Sequence, residues 1–298
     1  MWQGVIPAVT TKFKEDGSLD AAEMQRCFAL QMAAGCDGLI ACGSLGEGPM
    51  LSHEERLQVF RLAKEAAGSR PALLTVAEAG TREACALAEK AARAGADGLM
   101  VVPSTLYHTD ARETAVNLRV IAAAADLPVM IYSNRIAYRV DVTTDLLGEL
   151  ADERRFVAVK ESSDDIRRST EILTRLGDRY AVFTGVDNLA FEALCAGVQG
   201  WVAGLVVAFP AETVAVYRLV KAGRLAEALA IYRWFRPLLD LDVSTHLVQN
   251  IKLAEALAIQ SNERVRAPRL PLAGARRARV EAVVRQALAT RPQLPERF

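Results

Sequence analysis

The 298-residue sequence lacks an excess of charge of either sign, since 36 lysines and arginines balance 36 aspartates and glutamates. A zero net charge provides no electrostatic basis for binding nucleic acid or an anionic membrane surface, so we expect neither as a partner. No stretch approaches the length of apolar sequence that spans a membrane, and the start at Met1 has no charged segment followed by an apolar one. We therefore expect a cytoplasmic protein.

Cysteine and histidine are also scarce. The five cysteines are an odd number and form no CxxC pair, which favours reduced core thiols over disulfides or zinc ligands. The three histidines are far apart, and the stretch His53–Leu57 lacks the second histidine of a zincin helix. We accordingly predict that the chain has no metal site and uses no cofactor.

Short apolar runs alternate with segments of helical periodicity along most of the chain. Asp20–Ala34, with apolar residues at i, i+4 and i+8, and the alanine-rich Thr81–Ala94 are two of the predicted helices. The eight runs predicted as strands are Val5–Thr10, Gly38–Gly43, Leu73–Ala77, Gly98–Pro103, Val129–Ser133, Phe156–Glu161, Tyr180–Gly185 and Gly200–Leu205. This alternation predicts an α/β fold, a (β/α)8 TIM barrel over residues 1–223.

The alternative fold is a doubly wound open sheet, which needs a glycine turn that binds phosphate. The glycines after the second predicted strand, in Gly43–Gly48, match neither a dinucleotide-binding motif nor a Walker A loop. An internal repeat also supports the barrel: Ala34–Leu39 recurs as Ala94–Leu99 and, more weakly, as Ala196–Trp201. Each copy lies where a predicted helix ends at a glycine and the next strand begins.

The rest of the chain has a helical pattern. Glu212–Ala222 is predicted as the eighth helix of the barrel. Residues 224–298 are predicted to form a C-terminal helical appendage, with helices at Leu225–Phe235, Thr245–Ala258 and Arg276–Ala289 and a frayed tail at Arg291–Phe298.

Lys160 closes the apolar, β-branched strand Phe156–Glu161, which is typical of a strand buried on both faces. Burial disfavours the ammonium form of a lysine, and a lysine with a lowered pKa is an amine nucleophile that forms Schiff bases with carbonyl compounds. Alternatively, Lys160 pairs with Glu161 or Asp164, or extends to solvent. The strand by itself does not decide between these interpretations.

The active site of a barrel lies at the carboxyl ends of its strands. There Lys160 is joined by hydroxyls, backbone amides and the tyrosine Tyr132, a set that suits carbinolamine chemistry. A small anion is expected on the amides of Gly43–Gly46. The candidate substrate-binding residues at these ends are Gly43, Leu45, Gly185 and Val202.

Four motifs resemble the dihydrodipicolinate synthase / N-acetylneuraminate lyase superfamily, and the match covers nearly the whole chain. They are Gly4–Thr11, Gly38–Glu47 in place of GxxxxGTTGE, Tyr132 in a YxN motif, and Lys160–Ser162. The resemblance implies a TIM barrel with a three-helix tail, a homotetramer, and a 2-oxo acid substrate.

The resemblance also implies the roles of individual residues. Lys160 would form the Schiff base, and Tyr132 would relay protons. The Ser44 hydroxyl would hydrogen-bond Tyr132, and the amides of Ser44 and Leu45 would hold the substrate carboxylate. Glu47, which closes the glycine motif, is predicted to be structural, with its carboxylate in the first turn of the following helix.

The sequence departs from the synthase in three places. Leu45 replaces a threonine, so one hydroxyl ligand for pyruvate is absent. The second relay tyrosine falls near Thr105, with Tyr107 close by. The arginine that holds the aldehyde substrate's carboxylate aligns with Ala137, although Arg135 and Arg139 are near. These differences disfavour the synthase itself.

Four stretches resemble the subgroup that deaminates 1-pyrroline-4-hydroxy-2-carboxylate in hydroxyproline breakdown: Ile136–Tyr138, Val159–Asp165, Gly185–Glu192 and Leu247–Lys252. The resemblance implies a substrate that is a cyclic imino acid and products that are 2,5-dioxopentanoate and ammonia. Three alternatives stay open: 4-hydroxy-tetrahydrodipicolinate (dihydrodipicolinate) synthase, a 2-oxo acid aldolase that releases pyruvate, and a non-catalytic 2-oxo acid sensor.

Overall fold

Eight parallel strands form a ring in the computed structural model, which describes residues 2–104 and 106–295. The strands are β1 (Gly4–Pro7), β2 (Leu39–Ala41), β3 (Ala72–Val76), β4 (Gly98–Val101), β5 (Val129–Ser133), β6 (Phe156–Glu161), β7 (Ala181–Thr184) and β8 (Gly200–Ala203). They pair in the order β1-β8-β7-β6-β5-β4-β3-β2, and a parallel bridge between Ala8 and Ile40 joins β1 to β2. The predicted TIM barrel is confirmed.

Helices follow the strands on the outside of the ring. They are α1 (Ala21–Ala33), α2 (His53–Ala67), α3 (Thr81–Arg93), α4 (Ala111–Ala125), α5 (Arg135–Tyr138), α6 (Thr144–Glu149), α7 (Ile166–Leu176), α8 (Ala190–Cys195), α9 (Pro210–Lys221), α10 (Leu225–Leu239), α11 (Leu247–Ile259) and α12 (Gly274–Ala289). Helices α10–α12 confirm a helical C-terminal region, whereas its boundary at residue 223 stays a prediction. Thr105 and residues 296–298 of the predicted frayed tail lie outside the described residues.

Local sequence explains where the helices begin and end. Ser52 caps α2 in a capping box, in which its hydroxyl accepts a hydrogen bond from the Glu55 amide at 3.2 Å and the Glu55 carboxylate accepts one from the Ser52 amide at 2.9 Å. At the three copies of the internal repeat, Gly35, Gly95 and Gly197 have φ values of +96°, +81° and +105°. Only glycine adopts this backbone conformation freely, so the predicted glycine ends of the helices are confirmed.

The apolar residues form two layers. A cluster inside the ring has one or two residues from each strand, and it comprises Ile6, Ala8, Ile40, Leu73, Met100, Val102, Met130, Tyr132, Ala158, Ala181, Phe183 and Val202. The intervening residues, such as Val159 and Ile131, pack between the sheet and the helices. Because side chains alternate along a strand, Lys160 points toward the barrel axis as Ala158 does.

Candidate active site

Lys160 lies at the carboxyl end of the barrel, in register with Tyr132 of β5 and Phe183 of β7. Only 7% of the residue is exposed, and its ammonium has no carboxylate within 4.0 Å in the described part of the chain. Glu161 points the other way, toward the Arg168 guanidinium at 3.6 Å, and Asp164 is exposed. The alternative in which Lys160 is paired or extends to solvent is therefore wrong.

The surroundings of Lys160 favour the neutral amine. Burial lowers its pKa, and this effect outweighs the opposing negative potential of Asp242, Tyr138 and Asp187. The amine nitrogen lies 4.1 Å from the centroid of the Tyr132 ring. An apolar ring face beside a buried amine leaves the nitrogen lone pair available for attack on a carbonyl or imine carbon.

Gly185 provides the room for this side chain. A Cβ atom at position 185 would lie 2.8 Å from Cγ of Lys160 and would also collide with its Cε and with the Ser162 hydroxyl. The predicted substrate-binding residue thus contributes space next to the amine. Val202 of β8 is 1% exposed and packs in the interior cluster.

Two tyrosines lie next to each other beside the amine. The Tyr132 hydroxyl accepts a hydrogen bond from the Asn134 amide at 3.1 Å, and burial raises the pKa of Tyr132. The Tyr138 ring packs edge-on against it, with centroids 5.6 Å apart and an interplanar angle of 83°. Burial raises the pKa of Tyr138 to about 12, so both phenols keep their protons at neutral pH.

Ser44 connects the loop after β2 to these tyrosines. Its hydroxyl is hydrogen-bonded to the hydroxyl of Tyr138. It also lies near enough to Tyr132 to oppose the rise in the pKa of that phenol. The Ser44 hydrogen bond predicted to Tyr132 is thus made to Tyr138 in the structure. The serine and the two phenols together form a cluster of hydroxyls through which a proton can move.

Tyr138 entered the sequence analysis only as the last residue of the stretch Ile136–Tyr138. The structure places it in the site because Asn134 caps the one-turn helix α5, accepting a hydrogen bond from the Ala137 amide at 2.9 Å. This turn brings the chain back over the barrel mouth. The asparagine directly after β5 was a local signal for the turn.

The loop Gly43–Gly46 presents backbone to the same site. A Cβ atom at Gly43 would make only ordinary contacts, at 3.5 Å from Thr75 Oγ1 and 3.6 Å from Met100 Cε. The Leu45 side chain is 4% exposed and packs in the layer between sheet and helices. Only the Leu45 amide is thus available to hold a carboxylate, and its side chain does not line the pocket.

Neither arginine near Ala137, the position that aligns with the carboxylate-binding arginine of the synthase, is buried in the site. Ala137 and Arg139 are exposed, and Arg135 is half-exposed, with its guanidinium 3.8 Å from Asp141. Tyr107 is 62% exposed and donates a hydrogen bond to Glu113 at 3.2 Å.

Two carboxylates flank the amine from β7 and from the C-terminal appendage. Asp187 is fully buried and accepts hydrogen bonds from the Trp201 indole at 2.9 Å and from the Leu205 amide at 2.7 Å. Asp242 lies on the loop between α10 and α11, next to Gly204, where a Cβ atom would be 2.5 Å from its Oδ1 atom. Sequence reasoning missed Asp242 because no periodicity or motif relates this loop to the strand ends.

A buried ion pair holds the back of the carboxylate-binding loop. Glu47 is fully buried and accepts a hydrogen bond from Lys252 of α11 at 2.5 Å and from the Arg266 amide at 3.0 Å. The prediction that Glu47 lies in the first turn of the next helix is wrong, because α2 starts at His53 and Glu47 has a left-handed φ of +54°. A neighbouring buried pair joins Lys12 to Glu255 at 2.6 Å.

We expect Glu47→Gln to lower the free energy of unfolding by ~3–5 kcal/mol at pH 6, because it leaves the buried Lys252 ammonium without its partner. Burial lowers the pKa of Lys252 to about 8. The charge is therefore lost as pH rises through this value, and the deficit relative to the unsubstituted protein should be smaller at pH 9. Urea unfolding at both pH values measures it.

Glu171→Gln is the matched control, since Glu171 makes an exposed i,i+4 pair with Arg175. It should change the free energy of unfolding by less than ~1 kcal/mol. An equally small effect of Glu47→Gln would mean that the buried pair does not stabilise the loop.

The pH dependence of catalysis should report the free amine of Lys160. Below its pKa the lysine is an ammonium and cannot attack, so kcat/KM should rise with pH through an apparent pKa below the ordinary ~10.4 of lysine. Because the pKa of Tyr138 is about 12, its ionisation should cause no fall below pH 9. A rise centred near the ordinary lysine value would contradict the described environment of the amine.

Comparison with known proteins agrees with this geometry. A model of the dihydrodipicolinate synthetase family matches residues 1–287. The chain belongs to this family. It is 32% identical, over 91% of both chains, to an uncharacterized DapA-like lyase of Rhizobium meliloti. It is 31% identical to the 4-hydroxy-tetrahydrodipicolinate synthase of Moorella thermoacetica, over 95% of this chain and 96% of the relative.

Solved structures of this family have the same fold. The dihydrodipicolinate synthase from Aquifex aeolicus matches with a TM-score of 0.90 and 26% identity, over 96% of this chain and 98% of that one. YagE, a prophage protein of the family from E. coli K12 in complex with pyruvate, matches with a TM-score of 0.91 and 26% identity, over 97% and 99%. The chain is an enzyme of this family of class I lyases, which act through a Schiff base.

No group of three or more histidine, cysteine, aspartate or glutamate side chains that could hold a metal ion occurs among residues 2–104 and 106–295. In the same residues, no helix combines the length and the apolar character needed to cross a membrane.

Proposed function

We propose that this family member dehydrates and deaminates 1-pyrroline-4-hydroxy-2-carboxylate to 2,5-dioxopentanoate and ammonia. The observation that carries the proposal is the composition of the pocket: a buried amine, two phenols and a serine hydroxyl, with Ala137 where the synthase has its carboxylate-binding arginine. A substrate with a single carboxylate and a hydroxyl matches this set better than aspartate semialdehyde, whose own carboxylate would lack a cationic partner.

The reaction uses the Lys160 amine as nucleophile. The amine adds to C2 of the ring imine, and expulsion of the ring nitrogen opens the ring and leaves a primary amine on C5. Loss of a proton from C3 gives an enamine, which expels the C4 hydroxyl as water. Tautomerisation then moves the double bond to C5 and its nitrogen, and two hydrolyses release ammonia and the 2-oxo acid.

The proton transfers in this sequence are assigned to the tyrosine pair. Tyr132, whose ring faces the Lys160 amine at 4.1 Å, moves protons to and from the substrate atoms next to the Schiff base. Tyr138 and Ser44 extend the path, and the amides of Ser44 and Leu45 hold the carboxylate. A hydroxyl chain in a buried site keeps the protons available without admitting bulk water.

A synthase that condenses pyruvate with aspartate semialdehyde is the second candidate. The 31% identity to the enzyme of Moorella thermoacetica favours it, and the same lysine would serve it. The missing arginine argues against it, because a lost charge-assisted contact is worth ~1.5–3 kcal/mol, or about ten- to two-hundred-fold in specificity. The third candidate is an aldolase that cleaves a longer 2-oxo acid to pyruvate.

The deciding experiment is incubation of the enzyme with the pyrroline and with a panel of 2-oxo acids while both ammonia and pyruvate are followed. Ammonia released from the pyrroline, with weak condensation of pyruvate and aspartate semialdehyde, supports the proposal. Efficient synthase activity without ammonia release would refute it and would show that Arg135 or Arg139 reaches the substrate. Pyruvate production without ammonia would identify the aldolase.

The assembly and cellular location stay predictions. We propose a cytoplasmic homotetramer, as the resemblance to the family implies. Sedimentation velocity at the concentration used for the activity assays measures the oligomeric state directly, and a monomer under those conditions would refute this part of the proposal.

A further inference from the structure

Asp242 has no role in the steps assigned to Lys160, Tyr132, Tyr138 and Ser44. Its carboxylate accepts no hydrogen bond and has no cation within 4.0 Å, within the described part of the chain. It nevertheless lies at the mouth of the barrel. The loop between α10 and α11 places one of its oxygens against Gly204, directly after β8, where a Cβ atom would be only 2.5 Å away.

A larger residue at position 204 would collide with the Asp242 carboxylate, so glycine is required there for Asp242 to occupy this place. The Gly204 amide is itself fixed by Asp187, whose Oδ1 accepts its hydrogen bond at 3.1 Å. The charges of Asp187 and Lys160 both act on Asp242. Its carboxylate is thus near enough to the Schiff-base lysine for the two charges to interact, but it does not form an ion pair with the lysine within 4.0 Å.

The two carboxylates have different environments. Burial raises the pKa of Asp187, but hydrogen bonds from the indole of Trp201 and the amides of Gly204 and Leu205 oppose this rise. Asp242 has no such donors among the described residues. Burial raises the pKa of Asp242 well above the ordinary aspartate value, and the neighbouring Asp187 raises it further. Where the environments of two acids differ in this way, the acid that lacks donors to stabilise its charge is the proton donor.

We propose that Asp242 is the general acid that protonates the leaving C4 hydroxyl in the dehydration step. This assignment rests on the proposed function and adds to it a residue and a substrate class: a 2-oxo or imino acid with a hydroxyl two carbons from the Schiff-base carbon. The Lys160 nitrogen lone pair forms the iminium as the C2–C3 electron pair becomes the C3–C4 double bond. The C4–O bond breaks, the Asp242 proton goes to the departing oxygen, and water and the Asp242 carboxylate result.

The same carboxylate also explains discrimination between substrates. An acid at this place donates to a hydroxyl, whereas in its ionised form it repels a second substrate carboxylate. A pocket with Asp242 and without the synthase's arginine should reject aspartate semialdehyde and accept a 4-hydroxy compound. The specificity would thus come from a residue of the C-terminal appendage, outside the barrel itself.

The test compares Asp242→Asn with the unsubstituted enzyme in two measurements. In the variant, ammonia release from the pyrroline should fall ~10²–10⁴-fold, the usual effect of a positioned general acid. Reduction with borohydride during turnover should trap an adduct on Lys160 that is heavier by one water than the dehydrated adduct, because the C4 hydroxyl is retained. Pyruvate, which has no leaving group, should still be trapped on Lys160 at the rate of the unsubstituted enzyme.

Asp178→Asn, a substitution of an exposed acid beyond α7, is the matched control and should leave all three readouts unchanged. Three results for Asp242→Asn would overturn the assignment: an unchanged rate of ammonia release, a trapped adduct already lacking the hydroxyl, or loss of pyruvate trapping. Loss of pyruvate trapping would mean that Asp242 assists Schiff-base formation by Lys160 and not the dehydration step. If the unsubstituted enzyme releases no ammonia from the pyrroline, the proposed function fails, and this assignment fails with it. Ammonia release by the unsubstituted enzyme thus separates the two failures.

Discussion

Lys160→Met should abolish turnover, with a loss of at least ~10⁴-fold in kcat, while the barrel stays folded. Methionine has nearly the same length and keeps the packing around Gly185, but it has no nucleophilic nitrogen. The substitution also removes a buried amine whose pKa burial lowers, so thermal stability should not fall. Rate measurement at saturating pyrroline, together with a thermal unfolding scan, checks both parts.

Lys90→Met is the control, because Lys90 lies on α3 and its ammonium is 3.9 Å from the exposed Glu54 carboxylate. Its turnover should match that of the unsubstituted enzyme. If Lys160→Met retained more than a small percentage of activity, the reaction would have to proceed without a covalent intermediate on this lysine.

Tyr132→Phe should lower turnover by ~10²–10⁴-fold, because it removes the phenol next to the amine and interrupts the path through Ser44 and Tyr138. The ring and its contact with Lys160 are kept, so borohydride trapping of the first adduct should be affected less than ammonia release. Comparison of the two rates separates proton transfer from Schiff-base formation.

Tyr180→Phe serves as the control for this substitution. Tyr180 also buries a hydroxyl, which donates a hydrogen bond to the Leu147 carbonyl at 2.7 Å, but it lies at the opposite end of the barrel, before β7. The control should lose ~1 kcal/mol of stability and no activity. Near-full activity of Tyr132→Phe would leave Tyr132 as a packing residue at the end of β5.

The strands could be predicted from sequence because a barrel buries them on both faces. Val129–Ser133 and Phe156–Glu161 were predicted with the bounds that the structure has, since their apolar runs end at polar residues. Leu73–Ala77 was displaced by one residue from β3, and the five remaining predictions were too long by two or three residues, as at Gly200–Leu205, where β8 ends at Ala203. There the apolar sequence continues after the pairing stops, and hydrophobicity alone does not mark the end.

The candidate site was predictable where it is built from strand ends. Lys160, Tyr132 and Gly185 are brought together because parallel strands place their carboxyl ends at one edge. Asp242 was not predictable in this way, since its position depends on how α10 and α11 pack on the barrel. Glu47 was misplaced for a related reason: its partner Lys252 is 205 residues away in the sequence.

The most direct test of Schiff-base catalysis by Lys160 is reduction with borohydride in the presence of pyruvate, followed by tryptic digestion. A reduced adduct on Lys160 blocks cleavage after this residue, so the modified peptide should span residues 156–167, between Arg155 and the cleavage after Arg167. We expect this peptide to carry the added mass and every other lysine to stay unmodified. An adduct on Lys64 or Lys90, or no adduct at all, would contradict the Schiff-base assignment.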